Sequence, residues 1–134
     1  MSVKLGTQTI RIIAAFEKMT KVHARDCITI EDSIYFLVDP GKIGLAIGKN
    51  GSNIKEVSKS LGKTVRLFAY HDKPDEMMRS MVPSAKTIDI KNGTVSLTVP
   101  AGDRVAVIGR NGRNIKAIKD IMNRHFGIRS VKLR

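Results

Sequence analysis

Apolar residues recur along this chain with two different spacings. A spacing of about three to four residues is typical of helices that bury one face, and a spacing of two is typical of strands. In the first half, these spacings predict a helix, two strands, a short helix, a longer helix and a third strand at residues 7–19, 28–30, 34–38, 42–47, 52–61 and 64–68. The first helix is expected to bury Ile10, Ile13, Phe16 and Met19.

The second half predicts the same succession of elements. They lie at residues 75–81, 86–90, 94–99, 103–108, 114–126 and 128–133. Asn92-Gly93 separates the two strands and is a strong signal for a two-residue hairpin turn. Met77, Met78 and Met81 have helical spacing and are expected to pack the first helix of this half. Both halves therefore predict the order α-β-β-α-α-β, which gives an α+β fold of two domains, residues 1–72 and 73–134.

A nine-residue stretch occurs once in each half. Residues 47–55 read IGKNGSNIK and residues 108–116 read IGRNGRNIK, so seven of the nine positions are identical. The second copy begins 61 residues after the first (108 − 47 = 61). Each copy joins a short apolar segment to an amphipathic helix through Gly-x-x-Gly, with a basic residue between the glycines. A single Gly-x-x-Gly is weak evidence, but two copies in matching contexts are a specific signal.

Both loops have the features of an anion site. Glycine allows tight backbone geometry and leaves no side chain in the way of a ligand. The helix that follows directs its first N–H groups and the positive end of its dipole into the same space. Lys49 and Arg110 stand at the loop tips, and no acidic residue lies between Lys42 and Lys55. Flanking isoleucines offer an apolar wall on which bases can lie, so the arrangement suits the backbone of a nucleic acid.

The charge of the chain also favours a polyanion. It has 24 Lys+Arg against 12 Asp+Glu, a net charge of +12, which attracts nucleic acid or an anionic membrane. Residues 1–72 hold 11 basic and 7 acidic residues (+4), and residues 73–134 hold 13 and 5 (+8). The second half is therefore expected to contribute more of the attraction. No apolar run is long enough to span a bilayer, so no membrane partner is expected.

Sets of residues that would support catalysis are missing from the sequence. We find no paired carboxylates, Ser-His-Asp set, P-loop or cluster of metal ligands, so we expect no enzyme activity, cofactor, metal or small-molecule substrate. Cys27 is the only cysteine, and residues 1–4 do not lead into a signal peptide. These observations predict a cytoplasmic protein. Aromatic residues are 4% of the chain, so base recognition cannot depend chiefly on aromatic stacking.

Ile-Gly-x-x-Gly-x-x-Ile within an α-β-β-α-α-β unit resembles the KH domain of type II topology. In that family the loop clamps the backbone of about four nucleotides, and the bases enter an apolar groove beside it. Two such domains with a short link resemble the archaeal NusA-like transcription termination and antitermination proteins. This resemblance covers nearly the whole chain. It implies tandem type II KH domains, each a three-stranded sheet covered by helices, that bind single-stranded RNA in transcription elongation, termination or antitermination.

The resemblance also implies RNA contacts for both loops and for their flanking residues. The candidate RNA-binding residues are Ile47, Gly48, Lys49, Asn50, Gly51, Ser52, Ile54, Lys55, Arg104, Ile108, Gly109, Arg110, Asn111, Gly112, Arg113, Ile115 and Lys116. RNA polymerase is a further candidate partner. The chain lacks the polymerase-binding N-terminal domain and the RNA-binding barrel of the bacterial NusA pattern, so direct contact with polymerase stays open.

Plainer interpretations exist for several of these features. The isoleucines beside the loops could be core residues, Asn50 and Asn111 could simply tolerate a turn conformation, and Lys55 and Lys116 could lie on solvated helix faces. Two other functions also fit a basic protein of this size. One is a ribosome-associated or other KH-type RNA-binding assembly factor. The other is a DNA-binding helix–turn–helix regulator, which leaves the predicted strand pairs unexplained.

Overall fold

The computed structural model describes residues 6–134. The described chain forms two compact units, the first ending at Tyr70 and the second running from His71 to Arg134. Each unit contains helices and one three-stranded sheet in the predicted order α-β-β-α-α-β. The mixed α+β class is confirmed. Residues 1–5, where the sequence predicts no signal peptide, lie outside the described residues.

The first unit is built on a sheet with strand order β1-β2-β3. Its elements are α1 (Thr7–Thr20), β1 (Ala24–Ile30), β2 (Ser33–Val38), α2 (Ile43–Ile47), α3 (Ser52–Leu61) and β3 (Thr64–Ala69). The central strand β2 is antiparallel to β1 and parallel to β3. Two parallel neighbours need a long crossover connection, and α2 and α3 supply it. The loop between these two helices is therefore part of the crossover.

The core of the first unit anchors both helices of the crossover. Phe16 of α1 stacks on Phe36 of β2 with ring centroids 4.2 Å apart. Ala46 of α2 and Val57 of α3 are fully buried in the same cluster. Because each helix has a fully buried residue in this cluster, both helices that flank the loop are anchored to the core.

The second unit repeats this topology with strand order β4-β5-β6. Its elements are α4 (Pro74–Met81), β4 (Thr87–Lys91), β5 (Thr94–Thr98), α5 (Arg104–Ile108), α6 (Arg113–Phe126) and β6 (Ser130–Leu133). The central strand β5 is antiparallel to β4 and parallel to β6. Asn92 and Gly93 have φ of 52° and 75°, as a type I′ turn requires, so the predicted hairpin is confirmed. The predicted burial of Met77, Met78 and Met81 is also confirmed.

The expected burial of Ile10 is wrong, because this residue is 53% exposed. Ile13 and Phe16 are buried, and Met19 is only partly buried. An α-helix has 3.6 residues per turn, so steps of three residues drift around the axis by about 60° each. Four residues at that spacing span too wide an arc for one sheet to cover.

Two strands begin two or more residues away from the predicted position, whereas the ends of the other four differ by one residue at most. Strand β1 begins at Ala24 rather than at residue 28, although it contains Asp26. That carboxylate is fully buried and accepts a hydrogen bond from the N–H of Cys27 at 2.8 Å. Strand β6 begins at Ser130 rather than at residue 128, because the N–H of Ile128 bonds to the end of α6 at the carbonyl of Met122.

Candidate nucleic-acid interface

In each unit a Gly-x-x-Gly loop joins the short helix to the longer one. The first glycine has a backbone conformation that essentially only glycine adopts: φ 78° and ψ 171° at Gly48, and φ 79° and ψ 168° at Gly109. A Cβ at Gly48 would lie 2.8 Å from Cγ of Asn53, and a Cβ at Gly109 would lie 2.8 Å from Cβ of Asn114. Both the torsion angles and the close approach therefore require glycine here.

The rest of the loop is one 3₁₀ turn that ends in two left-handed residues. Asn50 and Asn111 have φ of 55° and 56°, and Gly51 and Gly112 have φ of 74° and 72°. Asparagine and glycine are the residues that enter this region at least cost, so the interpretation of Asn50 and Asn111 as turn residues is confirmed. The φ and ψ angles of the first glycine, the asparagine and the second glycine agree between the two loops to within 4°.

A second pair of asparagines ties the two helices of each unit together. Asn53 Nδ2 donates a hydrogen bond to the carbonyl of Leu45 at 3.0 Å, and Asn114 Nδ2 donates to the carbonyl of Ala106 at 3.0 Å. These bonds cross from the first turn of the longer helix to the middle of the short helix. The sequence analysis did not single out Asn53 and Asn114, although both are among the identical positions of the repeat.

Positive charge collects at the start of the longer helices. The side chains of Lys49 and Arg110 are exposed at the loop tips. Neither α3 nor α6 has a side-chain cap or an acidic residue in its first turn. In the first unit a Cβ at Gly51 would lie 3.8 Å from Cε of Lys55, so the stem of this lysine lies beside the second loop glycine. The electrostatics of both loops therefore favour an anion.

Exposed apolar side chains lie next to both loops. The large hydrophobic residues that remain exposed within residues 6–134 are Ile10, Leu45, Ile47, Val105 and Ile108. Four of these five residues lie on the short helices α2 and α5. Val105 is 81% exposed, which is unusual for a valine in a helix. Each loop thus has an apolar surface on its N-terminal side.

The candidate RNA-binding residues form one group within each unit. The exposed members are Ile47, Lys49, Asn50, Ser52, Lys55, Ile108, Arg110, Asn111 and Lys116, and the half-buried members are Gly48, Gly51, Ile54, Arg104, Gly109, Gly112, Arg113 and Ile115. Arg104 differs from the loop cations because its guanidinium donates a hydrogen bond to the main-chain oxygen of Arg134 at 2.6 Å. Its contact thus joins α5 to the residue after β6.

The described part of the chain has neither a cluster of metal ligands nor a membrane-spanning helix. Residues 6–134 contain no group of three or more His, Cys, Asp or Glu side chains placed to hold a metal ion. Among the same residues, no helix combines the length and apolarity needed to cross a membrane.

Comparison with known proteins connects this geometry to a family. The KH domain family matches residues 10–72. The "Probable transcription termination protein NusA" of Methanococcus vannielii is 33% identical over 99% of this chain and 80% of its own length. The protein of the same name from Halobacterium salinarum is 31% identical over 99% of both chains.

A solved structure agrees with the sequence comparison. The crystal structure of APE1850 superposes with a TM-score of 0.81 at 30% identity and covers 97% of this chain and 100% of its own. Because the similarity to the NusA proteins extends over nearly the whole length, this chain belongs to the archaeal NusA family.

Proposed function

We propose that this protein binds single-stranded RNA and acts in transcription elongation, termination or antitermination without catalysing a reaction. The names of the relatives indicate a role in termination. The observation that carries the RNA-binding part is the repetition of one loop geometry in two units. A backbone conformation that requires glycine, followed by a basic tip and an uncapped helix N-terminus, occurs at both Gly48 and Gly109.

The proposal includes two tandem type II KH domains, residues 1–72 and 73–134. The KH family match reaches residue 72, and the second unit has the same element order and the same sheet topology. The matching loop angles support the same assignment for the second unit. A single fold repeated in this way would place one backbone clamp in each half of the chain.

Each clamp holds phosphates by three means. The loop glycines let the RNA backbone approach the protein backbone closely. The first N–H groups of α3 or α6 point toward the phosphate, because they have no carbonyl partner inside the helix. Lys49 or Arg110 at the tip adds a mobile positive charge. The bases then lie on the apolar surface formed by the short helix and by Ile47 or Ile108.

Two alternatives remain as outcomes of the test. A KH-type assembly factor would use the same loops on structured ribosomal RNA. A helix–turn–helix regulator would read duplex DNA through the first turn of a recognition helix. That second mode is disfavoured because Ile54 and Ile115, in the first turns of α3 and α6, are half-buried and have no polar atom in the side chain to read a base edge.

The partners and compartment follow from this function. RNA polymerase is proposed as a further partner on the basis of the family alone. The cytoplasm is the proposed compartment. Cys27 is the only cysteine of the sequence and is buried, so it forms no intrachain disulfide, which is compatible with a reducing environment.

The test replaces both loop tips in the full chain by Lys49→Asp, Asn50→Asp, Arg110→Asp and Asn111→Asp. Aspartate tolerates the left-handed conformation of asparagine, so folding should be kept while the phosphate is repelled. We expect the affinity for single-stranded RNA to fall about 100-fold or more, since several charge-assisted contacts are lost. Fluorescence anisotropy measures the affinity, and thermal unfolding checks the fold.

A matched control changes charge away from the loops. Lys59→Asp with Ser60→Asp alters the charge of one unit by the same amount as one mutated loop, at exposed positions near the end of α3. This control should lose far less affinity than a chain in which one loop alone is mutated (Lys49→Asp with Asn50→Asp). Unchanged RNA affinity in the folded four-substitution chain would refute the clamp. Tighter binding of duplex DNA than of single-stranded RNA would favour the DNA-binding alternative, and preference for ribosomal RNA would favour the assembly factor.

A further inference from the structure

The two short helices differ at the position that lies one turn before the loop. Gly44 occupies it in the first unit and Val105 in the second. The N–H of Gly48 bonds to the carbonyl of Gly44 at 3.0 Å, and the N–H of Gly109 bonds to the carbonyl of Val105 at 2.9 Å. Residues four apart lie on the same side of a helix, so this position stands directly beneath the first loop glycine.

The space beside the two loops is therefore unequal. A Cβ at Gly44 would meet no atom within 4 Å, so the surface beside Ile47 is open. Val105 is 81% exposed and stands next to Ile108, which is three residues further along α5. A valine in a helix has essentially one side-chain rotamer. It therefore forms a stiff wall where the first unit has a gap.

We propose that residues 44 and 105 set the size of the base that each clamp accepts. This inference rests on the proposed function, because it assumes that RNA bases lie on the apolar surface beside the loop. The open surface at Gly44 admits the two fused rings of a purine. The wall at Val105 favours the single ring of a pyrimidine. The two clamps would then read different nucleotides with the same backbone.

The experiment exchanges the two residues in the full chain. The first clamp is measured with the second loop mutated (Arg110→Asp, Asn111→Asp), and the second clamp is measured with the first loop mutated (Lys49→Asp, Asn50→Asp). The probes are an adenine-rich and a uracil-rich single-stranded RNA of equal length. The readout is the ratio of the two affinities, compared between a variant and its parent. The base stacking within each free RNA affects variant and parent equally, so it does not contribute to this comparison.

Opposite shifts are expected at the two sites. Gly44→Val should lower the adenine-to-uracil ratio of the first clamp, and Val105→Gly should raise that of the second. Each shift should be about threefold to tenfold, at or below the low end of what one missing methylene changes in an enclosed pocket, because the surface is open. Val105→Ala removes the wall while keeping a strong helix former, so it provides a second test if Val105→Gly weakens α5.

The controls separate failure of this inference from failure of the proposed function. Ser60→Val adds the same side chain at an exposed position near the end of α3 and should leave the ratio unchanged. The ratios are also measured in the chain with both loops intact. Unshifted ratios in variants that still bind RNA would overturn the inference and leave the proposed function standing. Absence of RNA binding by the unaltered chain would overturn both.

Discussion

The two Gly-x-x-Gly loops share a backbone and differ in their side chains. The angles agree to within 4° at the glycines and the turn asparagine, and the asparagine bond between the helices is 3.0 Å in both. The tip residue changes from Lys49 to Arg110, and the first residue of the longer helix changes from Ser52 to Arg113. The backbone geometry is thus the same in both loops, whereas the charged side chains differ. This is the expected result if the backbone determines how a phosphate is bound and the side chains determine the affinity.

The longer helix and the side chain beside the second loop glycine also differ between the two units. Helix α3 has 10 residues and α6 has 14, so the second unit extends its longer helix by about one turn. Beside Gly51 lies the stem of Lys55, whereas a Cβ at Gly112 would lie 3.9 Å from Cγ2 of Ile115. The two clamps are therefore expected to bind with different strength and different selectivity.

The largest expected effect concerns the geometry that the loops share. Gly48→Ala and Gly109→Ala should each destabilise their own unit by about 2 to 4 kcal/mol, because alanine meets both a forbidden conformation and a Cβ contact below 3 Å. Gly51→Ala and Gly112→Ala are the controls. At these two positions alanine meets the left-handed conformation and only ordinary van der Waals contacts, at 3.8 and 3.9 Å, so each change should cost about 1 to 2 kcal/mol. Urea unfolding monitored by circular dichroism measures the four values.

Equal costs at the first and second glycines would show that the close approach to Asn53 and Asn114 is relieved by relaxation. A large difference between Gly48→Ala and Gly109→Ala would show that the two loops are not equivalent, although their backbone angles are the same.

The next effect should distinguish the two loops by affinity. Lys49→Asp with Asn50→Asp should weaken binding of single-stranded RNA about 10-fold. Arg110→Asp with Asn111→Asp should weaken it about 30-fold, because arginine can bind phosphate in a bidentate manner and lies in the more basic half. Anisotropy titrations at one fixed salt concentration measure both. A greater loss in the first loop would mean that the net charge of a unit does not rank the clamps.

The asparagines that link the two helices should affect RNA affinity by positioning the loop, and not by contributing charge. Asn53→Ala and Asn114→Ala should each lower RNA affinity about threefold to fivefold, the range expected for one hydrogen bond. The slope of log affinity against log salt should stay unchanged, because no phosphate contact is removed. Parallel salt titrations of variant and parent make this measurement.

Asn123→Ala is the matched control for this prediction. Its amide donates to the carbonyl of Ile128 at 3.0 Å near the far end of α6. Its loss should reduce stability and leave RNA affinity in place. A changed salt slope in Asn53→Ala or Asn114→Ala would indicate that these side chains contact the phosphate directly.

The smallest effect should come from exchanging the first residue of the longer helices. Ser52→Arg should strengthen binding and Arg113→Ser should weaken it, each about twofold to fourfold. The parent slope is expected near −3 to −6 if about four to eight phosphates are neutralised, and each exchange should move it by about 0.7. A slope that does not move in either variant would show that position 52 or 113 does not contact phosphate.

Much of the fold could be predicted because it depends on local rules. The left-handed turns at Asn92-Gly93 and at the two loops follow from the few residues that tolerate positive φ. The repeat fixed the order of elements in the second unit once the first was assigned. The buried methionines of α4 follow from helical spacing. The loops were recognisable because both copies have glycine at the same two positions.

Other features depend on which distant segments meet. Ile10 belongs to the apolar pattern of α1, yet the sheet covers only the arc that holds Ile13 and Phe16. Asp26 reads as a loop residue, yet it lies buried in β1. Arg104 is a candidate RNA-binding cation of the predicted short helix, and its guanidinium bonds to the main chain of Arg134, 30 residues away. In each case the sequence identifies an apolar position or a charged residue, but the burial or the contact of that residue depends on how other elements pack around it.

The candidate site shows the same division. The glycines, the basic tips and the turn asparagines were readable from nine residues, because their roles come from their own backbone angles and charges. Other features of the site could not be predicted from these nine residues. They are the hydrogen bonds from Asn53 to Leu45 and from Asn114 to Ala106, and the exposure of Val105. They require two helices to be set at a particular angle on a sheet, and that angle results from the packing of the whole unit rather than from any local pattern.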